Sequence, residues 1–352
     1  MQDIFLSISI PSFNRGSKLK NLLDRMDALI SDLPASDINK VELLVSDNHS
    51  SDNTSEVLKE FKAHTRSYTF RNYRNDENIG SDRNFVKSIQ RASGIFVWLL
   101  SDDDIIENGA VAEIMATLKN NPEVGCGFIN YFLNDDKTMS AIPMANDPLI
   151  VPNIESYVEE VMFADSMVSS FIVKKSLLTD KQLKSHMGDG FPFLYWTSAI
   201  QLEHSSAIIR KPLITFLHPG VFESRTASKN REQTRDFYFE AHLGFMKYTS
   251  YLKTLLSSNK LKKKIQRRNL DENFNQIIFH KITSKKYDFV SISRALPLMI
   301  RKFYFNPSFW LGHIPLLIGP SILAKFLEPF RWRWLSMRAK IKVAALNIFK
   351  LN

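Results

Sequence analysis

The chain has 352 residues, of which 44% are hydrophobic and 24% charged, as expected for a globular protein with one large domain and an appendage. Its single cysteine excludes an internal disulfide and fits a reducing compartment, and Met1–Asp3 lack the basic residues of a signal peptide. Residues 260–352 hold 19 Lys and Arg against 4 Asp and Glu, whereas the remainder holds 27 against 33. The basic end therefore indicates an anionic partner, either a lipid surface or a nucleic acid.

Apolar runs alternate with helical periodicity along the first 132 residues. The pattern predicts strands over 4–10 (ended by Pro11), 41–45, 68–73, 95–100 and 127–132, and helices over 17–31, 54–63, 84–92 and 110–119. This alternation predicts an α/β fold with a mixed, mostly parallel sheet covered by helices. The pattern is less regular over 140–235 and mainly helical over 236–305.

Polar clusters follow three of the predicted strands. They are Ser12–Arg15, Ser46–Asn48 and Asp102–Asp104. Because ligands bind outside the carboxyl ends of parallel strands, we expect these loops to meet at one edge of the sheet. The sequence has neither a G-x-G-x-x-G after the first strand nor a G-x-x-x-x-G-K-[ST], which argues against dinucleotide-binding and P-loop folds.

The three consecutive aspartates Asp102, Asp103 and Asp104 carry the strongest chemical signal. Adjacent carboxylates repel one another, and a divalent cation such as Mg²⁺ or Mn²⁺ relieves that repulsion through hard oxygen ligands. Such a cation would also bridge to phosphate oxygens. The alternatives are a solvated loop or an aspartate cap on a helix near Ile105.

Four motifs together resemble those of family 2 glycosyltransferases, inverting enzymes with a GT-A fold, over roughly the first third of the chain. They are Ile8–Arg15, Leu44–Asp52, Asn78-Ile79-Gly80 with Arg83-Asn84, and Trp98–Asp104. Ser101 stands where many relatives have the first aspartate of an Asp-x-Asp-Asp pattern. The resemblance implies a nucleotide-diphosphate sugar as donor and a glycan, often lipid-linked, as acceptor.

The resemblance also assigns roles. A nucleotide pocket would be lined by Pro11, Ser12, Phe13, Asn14, Arg15, Asn48, Asn78, Gly80 and Asp103. Asp47 would accept a hydrogen bond from the base, and Arg83 would face the nucleotide or its diphosphate. Asp102 would lie near the ribose, and Asp104, with Asp102, would hold Mn²⁺ or Mg²⁺.

Inverting transfer needs a general base, which relatives supply as an Asp or Glu further along the chain. Asp189, between Gly188 and Gly190, is the first candidate, and Asp165 is the second. The alternative for Asp189 is a plain turn residue. The segment from His218 to Arg225 is a candidate lid.

The C-terminal region is basic and aromatic. Residues 308–327 are apolar but interrupted by Pro315 and Pro320, which favours short interfacial helices over a membrane span. Trp310, Trp332 and Trp334 would lie at headgroup depth beside basic residues that attract anionic lipid. The alternative is that these aromatics pack on the catalytic domain.

We therefore predict a catalytic domain over 1–235, divided into a nucleotide-binding half (1–131) and an acceptor half (132–235), and a membrane-associating region over 236–352. The expected location is the cytoplasmic face of the cell membrane, as in bacterial relatives that build surface polysaccharide. Two other functions stay open. A nucleic-acid- or membrane-binding protein would use the basic tail, although no RNA-binding signature is present and we expect no nucleic-acid partner. A catalytically inactive scaffold is the other.

Overall fold

The computed structural model describes residues 3–133, 136–161, 164, 167–216, 244–283, 296–297, 299–307 and 309–318. The chain forms two compact units, Met1–Ser224 and Arg225–Asn352. The predicted domain boundary at 235, the candidate lid around His218 and the candidate base Asp165 all lie outside the described residues. So do Trp332 and Trp334.

The first unit alternates strands and helices as the hydrophobic pattern predicts. Its strands are β1 (Leu6–Ser12), β2 (Val41–Asp47), β3 (Thr69–Arg74), β4 (Phe96–Leu99), β5 (Ile105–Ile106), β6 (Cys126–Phe132), β7 (Leu149–Val151), β8 (Phe171–Lys174) and β9 (Ser206–Thr215). Its helices are α1 (Gly16–Ser31), α2 (Ala35–Ile38), α3 (Thr54–Ala63), α4 (Ser81–Arg91), α5 (Ala110–Asn120), α6 (Ile154–Val161), α7 (Asp180–Leu183) and α8 (Pro192–Gln201).

All nine strands belong to one sheet with the order β3-β2-β1-β4-β8-β6-β9-β5, and β7 pairs with β9. The four strands β3, β2, β1 and β4 are parallel to one another. From β8 onwards the pairing is mixed, with β8 antiparallel to both β4 and β6 and with β6 parallel to β9. The sheet thus joins a parallel half to a mixed half, which confirms the predicted α/β architecture.

Buried apolar side chains hold this sheet to its helices. Every residue of β4 is buried, and Trp98 and Phe96 are among the largest side chains in the core. The periodic apolar positions of α1, including Leu19, Leu23 and Met26, are fully buried. Burial of each such side chain stabilises the fold by about 1.5–3 kcal/mol. The only cysteine of the sequence, Cys126 in β6, is buried here, and burial raises the pKa of its thiol to about 11.

One local prediction and one of the alternatives for the aspartate triplet were wrong. Pro11 does not end β1, which continues to Ser12, because β4 pairs with β1 only as far as Ser9 and the missing N–H of Pro11 lies beyond that ladder. The residues after Asp104 form no helix near Ile105, since Ile105 and Ile106 pair with β9 as the short strand β5. The aspartate triplet therefore links two strands and does not cap a helix.

The second unit is helical where it is described. Residues 244–255 are helical, the helix Asn259–Thr283 follows, and Phe309–His313 form a π-helical turn that continues into the helix Ile314–Ile318. Lys302 donates hydrogen bonds to the carbonyl of Met246 (2.7 Å) and to Thr249 Oγ1 (2.8 Å). Among the described residues, no helix has both the length and the apolar character needed to cross a membrane.

Candidate functional site

The loops after β1 and β2 are tied together by hydrogen bonds. The backbone N–H of Asn14 donates to Ser50 Oγ (2.9 Å), and Asn14 Oδ1 accepts from the N–H of Ser51 (2.7 Å). Asn14 has φ of +53°, a conformation that asparagine tolerates better than most residues. Phe13 beside it is exposed. Two of the three predicted polar loops therefore meet, as the parallel topology requires.

Asp47 ends β2 and is 1% exposed. Its Oδ1 accepts hydrogen bonds from the backbone N–H and the hydroxyl of Ser50, and its Oδ2 accepts from Arg74 Nη1 at 3.1 Å. Burying a carboxylate is unfavourable unless it is paired and hydrogen-bonded, and Ser50 and Arg74 meet that need. The orientation of the Asp47 carboxylate is therefore fixed.

A chain of amides links the loop after β2 to the loop before α4. Asn48 Nδ2 donates to Asn78 Oδ1 (2.8 Å), and Asn48 Oδ1 accepts from the N–H of Ile79 (3.0 Å). Gly80 N–H donates to Asn78 Oδ1 (3.0 Å), and its φ of +83° is one that glycine adopts without strain. Arg83 lies in the first turn of α4 and is exposed.

The aspartate triplet follows β4 and contacts the loop after β1. Ser12 Oγ donates to Asp102 Oδ2 (2.7 Å) and Arg15 donates to Asp102 Oδ1, while Asp102 is only 2% exposed. Asp103 Oδ2 lies 3.4 Å from Arg15 Nη1 and 3.9 Å from Lys18 Nζ. The loops after β1, β2 and β4 thus form one connected set of side chains.

Asp104 is held from a distant segment. Ser169 lies in the turn Val168–Ser170, and its hydroxyl donates a hydrogen bond to Asp104 Oδ2. The same hydroxyl oxygen accepts a hydrogen bond from the N–H of Ser101 (2.9 Å), and the backbone carbonyl of Ser169 accepts one from Trp98 Nε1 (2.7 Å). Asp104 as a whole residue is partly exposed, but its carboxyl group is surrounded by protein atoms. Burial, reinforced by the charge of Asp102, raises the pKa of Asp104 to about 6.

The donor atoms at this edge suit a hard cation shared with phosphate. One carboxylate oxygen of Asp102 accepts a hydrogen bond from Ser12 and the other accepts one from Arg15. Ser169, in contrast, donates to one oxygen of Asp104. Asp104 therefore fits the role of ligand better than Asp102. No group of three potential protein ligands occurs among the described residues, and Mg²⁺ commonly uses one or two carboxylates with phosphate oxygens.

The candidate base Asp189 lies in a loop before α8. Tyr195 OH donates to Asp189 Oδ2 (3.0 Å), and the ring of His186 stacks on Tyr195 with centroids 3.8 Å apart. Gly188 and Gly190 have φ of +88° and +77°. The backbone N–H groups of both glycines donate to Asp82 Oδ2, at 2.8 and 3.2 Å.

Among the residues that shape these sites, five had no role assigned from the sequence: Ser50, Arg74, Asp82, Ser169 and Tyr195. Ser50 stands inside the motif Leu44–Asp52, whereas Asp82 lies between the two parts of the motif Asn78-Ile79-Gly80 with Arg83-Asn84. Arg74 ends an unremarkable strand, and Ser169 is 65 residues from Asp104 with no local pattern to mark it.

The chain is similar in sequence to known glycosyltransferases. The model described as "Glycosyl transferase family 2" matches residues 7–196. Abequosyltransferase RfbV of Salmonella typhimurium is 27% identical over 121 residues, which is 34% of this chain and 34% of that protein. The GalNAc(5)-diNAcBac-PP-undecaprenol beta-1,3-glucosyltransferase of Campylobacter jejuni is 32% identical over 113 residues, 31% of this chain and 33% of that protein. The chain thus spans about a third of the length of these relatives.

Solved structures share the fold at low identity. S. aureus TarS 1-349 in complex with UDP superposes with a TM-score of 0.56 at 13% identity, covering 96% of this chain and 88% of that one. The mannosyltransferase PcManGT from Pyrobaculum calidifontis, in complex with GDP-Man and Mn²⁺, has a TM-score of 0.52 at 12% identity, covering 100% of this chain and 89% of that one.

Proposed function

The chain belongs to glycosyltransferase family 2, whose model covers more than half of it, and we propose that it transfers a sugar from a nucleotide-diphosphate sugar to a glycan acceptor. The transfer would be an inverting displacement in the synthesis of a bacterial surface polysaccharide. The acceptor would be lipid-linked, a proposal supported by the undecaprenol in the name of the Campylobacter relative.

One observation carries the proposal. Three loops that are far apart in sequence are joined at the carboxyl edge of the parallel strands by the contacts of Asn14 with Ser50 and of Asp102 with Ser12 and Arg15. Ligands of open α/β sheets bind at this edge. A site that combines basic, amide and carboxylate groups there suits a nucleotide diphosphate with its cation.

We assign donor roles on that basis. The loop of Pro11, Ser12, Phe13, Asn14 and Arg15, with Asn48, Asn78, Gly80 and Asp103, would line the nucleotide pocket. A base N–H would be a further donor to Asp47, since a carboxylate has about four lone-pair sites. Arg83 would reach the diphosphate because its exposed guanidinium suits phosphate oxygens.

Asp104, with Asp102 as the second candidate ligand and ribose contact, would hold Mn²⁺ or Mg²⁺. A bound cation would neutralise the charge that develops on the departing nucleotide diphosphate. Ser169 would orient Asp104 for this task, and Arg15 would offset the charge of Asp102.

On the acceptor side, we propose that Asp189 takes the proton from the acceptor hydroxyl as general base. Its hydrogen bond from Tyr195 would orient the carboxylate. Asp165 is kept as the second candidate.

We also propose that the second unit lies on an anionic membrane at its cytoplasmic face. Phe305 and Leu311 are 94% and 81% exposed, and the half-exposed Tyr304 contacts the Trp310 ring at 5.7 Å. Residues 260–268 add six positive charges to the same unit: Lys260, Lys262, Lys263, Lys264, Arg267 and Arg268. Exposed aromatics with basic residues are typical of interfacial binding.

Flotation with liposomes and retention on DNA test this proposal. We expect the protein to float with anionic liposomes and to show no salt-sensitive retention on DNA. Retention on DNA alone would favour a nucleic-acid partner.

A thermal-shift screen with UDP, GDP, dTDP and CDP, each with and without Mn²⁺, tests the donor site. One nucleotide should raise the melting temperature, since saturation at about 100 times Kd stabilises the folded state by about 2.7 kcal/mol.

Asp104→Ala tests the metal site. It should abolish the Mn²⁺-dependent part of the nucleotide-induced stabilisation and the transfer of sugar. Asp24→Ala, at an exposed position on α1, should change neither. Unchanged metal-dependent binding in Asp104→Ala would show that the assigned site is wrong, and stabilisation by no nucleotide would favour an inactive scaffold.

A further inference from the structure

Asp82 is an aspartate in the first turn of α4 that is only 8% exposed. Its Oδ2 accepts hydrogen bonds from the N–H groups of Gly188 (2.8 Å) and Gly190 (3.2 Å), which are 106 and 108 residues away. A buried carboxylate requires such donors. Asp82 therefore ties the helix α4 to the loop before α8.

The two amides that Asp82 holds flank Asp189. Both glycines have positive φ, and a Cβ added to either would meet no atom within 4 Å. Glycine is needed at these positions for the backbone conformation, and not because space is short. That conformation turns two N–H groups on either side of Asp189 toward one carboxylate oxygen.

Asp189 is held from its other side by α8. Tyr195 donates to its Oδ2, and the aromatic contact of Phe85 on α4 with Phe193 on α8, at 6.1 Å between centroids, joins the two helices. The backbone around Asp189 thus depends on α4, while its carboxylate depends on α8.

We infer that Asp82 is a positioning residue that sets the place of the proposed base Asp189, because its carboxylate holds the backbone on both sides of that residue. The inference rests on the proposed role of Asp189. It assigns to Asp82 an effect on turnover and not on donor binding. The hydrogen bonds that Asp82 accepts from Gly188 and Gly190 reach the loop of residues 185–191, which we call the base loop, and not the aspartate triplet.

The test compares Asp82→Ala, Asp82→Asn and Asp180→Ala in the full chain. Asp180 is a matched control: it also links α4 to another element, through Gln90 Nε2 at 3.0 Å, but lies outside the base loop. Hydrogen exchange is measured at Gly188 and Gly190, with the amides of β1 and β4 as a reference for global folding. Steady-state transfer gives kcat and the donor KM.

In Asp82→Ala, exchange at Gly188 and Gly190 should become at least tenfold faster and kcat should fall at least tenfold, while donor KM and nucleotide-induced stabilisation stay within twofold. Asp82→Asn keeps an acceptor oxygen and should recover most of both losses. In an Asp189→Asn background, Asp82→Ala should lower kcat no further, because the residue that it positions is already lost. Asp180→Ala should behave as the wild type.

Unchanged exchange at the two glycines in Asp82→Ala would overturn the inference directly, whatever the enzyme does. A loss of kcat that adds fully to that of Asp189→Asn would overturn it too, since Asp82 would then act by another route. Wild-type turnover in Asp189→Asn, with fast exchange in Asp82→Ala, would instead refute the assignment of Asp189 as base and leave the structural tie in place.

Discussion

The proposed donor site at the sheet edge, formed by the loops after β1, β2 and β4 and called the donor edge below, and the base loop are built in contrasting ways. At the donor edge, Asp47, Asn48 and Asp102 are each at most 3% exposed, and every one of them is hydrogen-bonded to a distant segment of the chain. On either side of Asp189, the exposed Gly188 and Gly190 donate their N–H groups to the carboxylate of Asp82. The carboxylate of Asp189 itself accepts a hydrogen bond from Tyr195. The donor edge is therefore held by buried groups shared among several segments, whereas the backbone on both sides of Asp189 is tied to α4 through one carboxylate.

Changes in the two regions should therefore affect different quantities. A break in the donor network should lower the stability of the fold, because its groups are buried and shared between strands. A break in the base loop should lower turnover more than stability, because the loop adds little to the core. Substitutions in the two regions and a change of pH test that division.

Asp47→Ala should cost about 2–3 kcal/mol of unfolding free energy, because it removes the acceptor for Ser50 and leaves the Arg74 guanidinium without its carboxylate. The partly exposed Arg74 can recover some solvation, which keeps the cost below that of a fully buried pair. Urea denaturation measures the change, with Asp24→Ala as an exposed control. A loss of less than about 0.5 kcal/mol, the range of ordinary surface substitutions, would contradict a stabilising donor network.

Gly190→Ala should strain the base loop by about 1–2 kcal/mol, since a Cβ disfavours φ of +77° although there is room for it. We expect kcat to fall and the melting temperature to drop by a few degrees, while nucleotide binding changes little. Steady-state kinetics and the nucleotide thermal shift, measured on the same preparation, separate the two effects. An equal loss of nucleotide binding would erase the division between donor edge and base loop.

The donor edge should also respond to acid. With a pKa near 6, the carboxyl of Asp104 is ionised above that pH and neutral below it, so its attraction for a cation is lost as pH falls through about 6. At pH 5 about one tenth of the carboxyl is ionised, which weakens Mn²⁺-dependent nucleotide binding by up to tenfold, or about 1.4 kcal/mol. Titration of the nucleotide thermal shift with Mn²⁺ and with EDTA measures this; an equal acid response in EDTA would point to other groups.

Ser169→Ala should weaken Mn²⁺-dependent nucleotide binding by about 1 kcal/mol, because Asp104 loses the hydroxyl that orients it. The neighbouring Ser170 is an informative control, since its buried hydroxyl has no hydrogen-bond partner in the described part of the chain and Ser170→Ala should be nearly neutral. Calorimetry with the nucleotide found in the screen compares the two variants. Equal effects would mean that Ser169 acts through packing alone.

The sequence made the donor edge predictable for a physical reason. Apolar runs mark β1, β2 and β4, and parallel topology brings the polar residues after them to one edge, so Asp47 and Asp102 could be placed together from pattern alone. The helix Thr54–Ala63 also has the predicted bounds.

The ties made by Ser169 and Asp82 were not predictable in that way. They join segments 65 and 106 residues apart, and neither periodicity nor a turn signal records which backbone amide or carboxylate a side chain will meet. The short strand β5 was missed for a similar reason, since its pairing with β9 depends on a partner more than 100 residues away.

The burial of Cys126 has a practical consequence for following the base loop. A thiolate is the reactive form of cysteine, and a thiol with a pKa of about 11 inside β6 is almost wholly protonated and shielded at neutral pH. The native sequence therefore gives little background to maleimide chemistry. A single cysteine introduced at the exposed Lys184, just before the base loop, would carry a fluorophore or spin label that reports its movement as donor and acceptor bind.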